Sequence, residues 1–275
     1  MVRCIFGNFT PFPLIRNILP KHTSAMKPLL EGKVAVVTGG TRGIGYAIVR
    51  KYLQEGATVV LCGSRQATAE KALQQIKAEM PEARVDALWP DLTDLASVTA
   101  AWQQVVDRYG RLDILANNAG IAQSTPFYDY TEEEFDKIIN LNVKAIFDCS
   151  QAAARFMKAQ GGGCIIHTSS MVSLYGQPSG FAYPASQFAV NGITKSLARE
   201  LGKDHIRVNA VAPGVVRTDM VANLPDEMIR PLVARIPLGR MAEADDIANA
   251  FLYLASDLAA YVSGTVLSVD GAAVV

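Results

Sequence analysis

Two hydroxyl-bearing side chains stand at a spacing that suits proton transfer. Ser170 closes the run "CIIHTSS", and Tyr183 follows thirteen residues later, where a long helical stretch begins. Brought together at one edge of a sheet, the serine hydrogen-bonds a substrate oxygen and the phenol passes a proton, while a nicotinamide carries hydride. That is the chemistry of carbonyl reduction and its reverse. A lysine one helical turn beyond such a tyrosine would tune it as a proton donor. The sequence reads "YPASQ" instead, with Gln187 in that place.

The elements that must position these groups follow from the pattern. From Lys33 onward, short β-branched runs ("KVAVVT", "ATVVLC", "ARVDALW", "LDILAN", "CIIHTSS", "IRVNAVAP", "GTVLSVDG") alternate with helical stretches. Near-continuous apolar strands imply that both faces of a sheet are covered, as in a doubly wound parallel α/β fold. Helices are expected over 43–54, 68–79, 95–109, 131–158, 181–201 and 246–255. Thr131 serves as a helix N-cap, with Glu134 three residues on. Residues 31–275 form one domain, with a small helical lid near 215–236, and residues 1–30 are an extension. That extension carries Arg3, Arg16, Lys21 and Lys27 with no acid before Glu31, and Met26 is a natural start for the domain. Ligands of such a sheet bind outside the carboxyl ends of its strands.

Those ends carry cofactor motifs. The first strand runs into "TGGTRGIG", comprising Gly39, Thr41, Arg42, Gly43, Ile44 and Gly45, and a helix opens there. Gly39 permits a tight turn, Gly43 lets backbone approach a pyrophosphate, and Gly45 permits close helix packing; the helix N-terminus favours phosphate. The second strand ends "LCGSR". No carboxylate stands at its tip to bond a ribose 2′-hydroxyl, whereas Ser64 and Arg65, with Arg42, can receive a 2′-phosphate. NADP(H) is therefore expected over NAD(H). Asp91, followed by Leu92, is placed to accept from an adenine amine or to cap the next helix. "NNAG", with Asn118 in it, ends the fourth strand.

Together with "APGVVRTDM", these motifs make the chain resemble the short-chain dehydrogenase/reductase family, in its TGxxxGxG subgroup, over roughly residues 33–271. The resemblance implies a seven-stranded parallel sheet and a homotetramer. It implies that Asn142 holds a water in a proton relay, that Ser170 orients the carbonyl and that Tyr183 is the general acid/base. Val216 and Thr218 match positions that hold the nicotinamide carboxamide. At Gln187 the family has a lysine that bonds the nicotinamide ribose and depresses the tyrosine pKa. An ammonium about 4–5 Å from a phenolate is worth ~3–4 kcal/mol at an effective dielectric of about 20, which is roughly two to three pKa units. A glutamine supplies no such field, although its amide reaches ribose hydroxyls. Cofactor binding should survive while turnover drops. Lys195 lies about 12 Å farther along the helix, and the direction of Lys144 is not fixed by sequence. An introduced replacement, a natural change of activity and an alternative relay all fit this position.

Composition narrows the partners. With 26 basic and 26 acidic residues, nothing draws the chain to nucleic acid or to an anionic membrane. Cys4, Cys62, Cys149 and Cys164 show no metal-ligand spacing, so no metal site is expected and a reducing, cytoplasmic setting is the default; a transit peptide is a minor alternative. Met171, Val172, Leu174 and Tyr175, with Met220, Leu224, Met228 and Ile229 in the lid, fit a hydrophobic ketone or alcohol. Several short motifs look like bacterial hydroxysteroid dehydrogenases acting at the 3-position of bile acids. The competing readings are a 3-oxoacyl thioester reductase, for which the loops "AQGGGC" and "LGKDHI" lack a basic docking patch, and a non-catalytic dinucleotide sensor.

Overall fold

A computed structural model describes residues 27–217 and 226–274. Seven strands form one parallel sheet in the order β3-β2-β1-β4-β5-β6-β7. They are β1 (Val34–Thr38), β2 (Thr58–Cys62), β3 (Val85–Leu88), β4 (Ile114–Asn117), β5 (Gly163–Thr168), β6 (Ile206–Pro213) and β7 (Val266–Val269). Every residue of β1, β2 and β4 is buried, because helices cover both faces. On one face lie α1 (Gly43–Gln54), α2 (Gln66–Glu79) and, near the end of the chain, α9 (Ala244–Ala255). On the other lie α3 (Leu95–Tyr109), α5 (Ala145–Ala159) and α7 (Ala182–Leu201). The strand order reverses between β1 and β4, which opens a crevice there. Leu30 is fully buried in the first core, so domain packing already includes this residue.

Local signals explain the element ends. Asp94 caps α3 by accepting from the Ala96 and Ser97 amides, and Gly110 ends it in the left-handed region. Thr131 and Glu134 form a reciprocal capping box on α4 (Glu132–Ile139). The single helix expected over 131–158 is in fact interrupted by a π-turn at Asn140–Lys144. No sequence period marks this extra residue, and such bulges cluster at functional sites. Pro184 falls in the first turn of α7, where its missing N–H costs nothing. Of the expected lid, α8 (Asp226–Val233) is described, whereas Thr218, Met220 and Leu224 lie outside the described residues. Between β5 and α7 lies the short α6 (Val172–Tyr175). Among the described residues no helix is long and apolar enough to cross a membrane, and no metal-binding cluster occurs.

Candidate active site

Ser170, Tyr183 and Gln187 come together at the carboxyl end of β5. Ser170 and Gln187 are 8% and 6% exposed. The Tyr183 phenol is faced by the Ser170 hydroxyl and the Gln187 amide. Burial pushes this phenol above its ordinary value, and those two neutral groups oppose the shift in part. The Gln187 Oε1 is buried and has no hydrogen-bond partner among the described residues.

A small ring of hydrogen bonds fixes the serine relative to the tyrosine helix. Ser169 donates to the Asn191 Oδ1 at 2.7 Å, and the Asn191 Nδ2 donates to Ser173 at 2.8 Å. Ser173 in turn donates to the Ser170 carbonyl at 2.6 Å. Asn191 lies two turns beyond Tyr183 on α7, so the Ser170 loop is pinned to the helix that carries its partner. Sequence reading missed Asn191 and Ser173. The helical spacing of Tyr183, Gln187 and Asn191, four residues apart on one face, is the signal that points to Asn191.

Asn142 sits in the π-turn, 2% exposed. Its Oδ1 accepts from the Ile121 amide at 2.9 Å and its Nδ2 donates to the Ile121 carbonyl at 2.8 Å and to Ser186 at 3.1 Å. The side chain clamps the loop after β4 to α7. Lys144 points elsewhere: its Nζ donates to the Thr93 carbonyl at 2.5 Å and to Asp148 at 2.6 Å. It cannot replace a cation beside Tyr183. Lys195 is exposed, and Tyr175 is 55% exposed on α6.

A cleft of about 710 Å³ occupies the crevice. Gly39, Thr41, Arg42, Gly43, Ile44, Gly45, Ser64, Asp91, Leu92 and Asn118, all singled out by sequence, line it. Gly39 and Gly43 have φ of +64° and +55°, a region side chains avoid. A Cβ on Gly45 would lie 2.1 Å from the Gly39 carbonyl oxygen. Asn118 ties three strands together, donating to the carbonyls of Thr38 and Gly39 and accepting from Thr168. Arg65 is not among the lining residues; it occupies the N-cap position of α2. Asp91 does not cap α3, a task that Asp94 performs. One Asp91 oxygen instead accepts from the hydroxyl and amide of Thr93, which hold its carboxyl below the usual range. Val216 is buried and forms a parallel bridge with Ala242.

Behind the site runs a buried polar chain whose proton directions are fixed. Thr194 donates to the Val190 carbonyl, so its oxygen accepts from the His167 Nδ1–H at 2.9 Å. Asn117 donates to Ser150, which leaves the Ser150 proton for the His167 Nε2 at 3.3 Å. His167 is thus the neutral Nδ1–H tautomer, and burial lowers its pKa to about 4.

A glycine turn at the switch point, with a serine and a phenol meeting beside it, defines a dinucleotide-dependent oxidoreductase of the α/β type. Comparison with known proteins narrows this. Residues 39–272 match a family model described as enoyl-(acyl carrier protein) reductase. A 3α-hydroxysteroid dehydrogenase of Mediterraneibacter gnavus is 64% identical over 245 residues, covering 89% of this chain and 98% of that protein. A 3-oxoacyl-[acyl-carrier-protein] reductase of Thermotoga maritima is 39% identical, covering 90% and 99%. A solved 7α-hydroxysteroid dehydrogenase, complexed with NADH and 7-oxo glycochenodeoxycholic acid, superposes with a TM-score of 0.84 at 32% identity, covering 90% and 96%. The chain belongs to the short-chain dehydrogenase/reductase family.

Proposed function

We propose that this chain is an NADP(H)-dependent oxidoreductase of a hydroxysteroid or similar hydrophobic secondary alcohol, acting at a 3-position, with turnover depressed by Gln187. The observation that carries the reading is the buried Tyr183 phenol, held between Ser170 and a neutral amide where a cation would be needed. The dinucleotide fits the residues present. The cleft is of ligand size, its glycine turn leaves backbone uncovered, and the unpartnered Gln187 Oε1 calls for a donor such as a ribose hydroxyl. Arg42 and Ser64 line the outer end and favour a 2′-phosphate. A side chain at Gly63 would meet Thr41 and Ala69 at 2.9 and 3.0 Å, so a carboxylate does not fit there. Asp91 supplies an acceptor for the adenine amine.

When bound, the dinucleotide supplies or accepts hydride. The chain's own residues do the rest. Ser170 hydrogen-bonds the substrate oxygen, and Tyr183 gives it a proton in reduction or removes one in oxidation. Gln187 orients the ribose but cannot stabilise a phenolate by charge. The Asn142 side chain is spent on Ile121 and Ser186, so a relay water falls to its main chain. The steroid preference rests on the relative from Mediterraneibacter gnavus. Exposed Leu174 and Tyr175, at 46% and 55%, provide apolar surface beside the serine. Phe147 and Phe188, each 50% exposed on α5 and α7, suit burial between subunits of a tetramer.

The test is a panel of ketosteroids and 3-oxoacyl thioesters, assayed with NADH and NADPH on this chain and on Gln187→Lys. Steroid turnover that rises in the lysine variant, with NADPH preferred, is expected. Faster thioester reduction would favour the acyl reductase reading. Tight NADPH binding without turnover in either protein would favour a sensor.

A further inference from the structure

The chain has two tryptophans, and they are placed differently. Trp102 is fully buried and donates its indole N–H to the Cys149 carbonyl at 3.2 Å. Trp89 is 42% exposed. It follows the last residue of β3, at the level where the Gly63 amide donates to the Leu88 carbonyl at 3.0 Å. There it lines the cofactor-sized cleft together with Ser64, Asp91 and Leu92. It also borders a smaller recess lined by Leu73, Val105 and Tyr109 together with Glu70, Asp86 and Arg108, so the residue stands between two openings. A large aromatic left open to a ligand-sized cleft is a stacking surface awaiting a flat partner. Beside it, Asp91 is held ionised and offers an acceptor to an exocyclic amine. A planar base with an amino group satisfies both.

We infer that Trp89 is the stacking platform for the adenine end of the bound dinucleotide. This rests on the dinucleotide reading above. No motif singled out Trp89, since a lone tryptophan after a strand carries no spacing signal.

The experiment measures NADPH and 2′-phospho-ADP-ribose binding by calorimetry and by tryptophan emission, on the parent chain, Trp89→Ala and Trp89→Tyr. Both ligands should bind Trp89→Ala about ten- to hundredfold more weakly, the range of one base–aromatic stack. Trp89→Tyr should retain most of the affinity. The fragment should quench parent emission and leave Trp89→Tyr unchanged, because Trp102 is sealed in the core. Affinity in Trp89→Ala equal to the parent's, or quenching that persists in Trp89→Tyr, overturns the inference while leaving the proposed function standing. A folded parent that binds neither ligand overturns both.

Discussion

Replacing Gln187 by lysine places a charge beside Tyr183, and the consequence can be worked out. The Tyr183 phenol starts above its ordinary value because it is buried, with only neutral groups opposing. Alcohol oxidation needs the phenolate. Its fraction at neutral pH therefore falls tenfold for each unit by which the pKa rises, and log kcat/KM climbs with unit slope up to that pKa. An ammonium about 4–5 Å away stabilises the phenolate by ~3–4 kcal/mol, or about two to three units. The parent profile should still be rising beyond pH ~10. The lysine variant should level off two to three units lower and run about 10²–10³-fold faster near neutrality. The assay is steroid oxidation followed by nicotinamide absorbance across pH, paired with ultraviolet difference titration of tyrosinate, which needs no turnover. Coincident profiles, or an unchanged tyrosinate titration, would refute the idea that the missing field sets the rate.

Other outcomes follow from the same geometry. Ser170→Ala in the Gln187→Lys background should lose about 10²–10³ in kcat while NADPH affinity stays level; a binding defect instead would move Ser170 out of the chemistry. Gly45→Ala should abolish dinucleotide binding, since its Cβ meets the Gly39 oxygen at 2.1 Å, and calorimetry checks this. His167 has a folded pKa of about 4 against an ordinary 6.5, so the unfolded chain binds the proton first on acidification. Stability should be fully present above pH ~6.5 and fall by about 3 kcal/mol in all as pH drops towards 4. Urea midpoints across that window, compared with His167→Gln, test it; equal acid slopes would sink the assignment.

The sheet was legible because its central strands are buried on both faces and read as apolar runs. The glycine turn, Asn118 and the Ser170–Tyr183 pair were legible because backbone freedom and hydroxyl chemistry demand those residue types at strand ends. What sequence did not show depends on side-chain direction. The π-turn that aims Asn142 leaves no mark on hydrophobic period. Lys144 lies two residues after Asn142, yet its ammonium turns to Asp148. Asp91 reads as a possible cap, whereas Asp94, three residues nearer the helix, fills that position. Arg65 stands at the N-cap position of α2 with its side chain exposed and making no cap bond, and sequence alone does not give its direction.

The ring through Ser169, Asn191 and Ser173 makes the Ser170 loop and α7 one mechanical piece. Ser170, Tyr183 and Gln187 therefore ride together, while α8 (Asp226–Val233) belongs to a separate segment. Such an arrangement separates reaction from recognition. Under the proposed function, α8 can be changed residue by residue to admit a new skeleton without disturbing the distance over which the proton moves. The identity at 187 can change the force on that proton without moving the atoms.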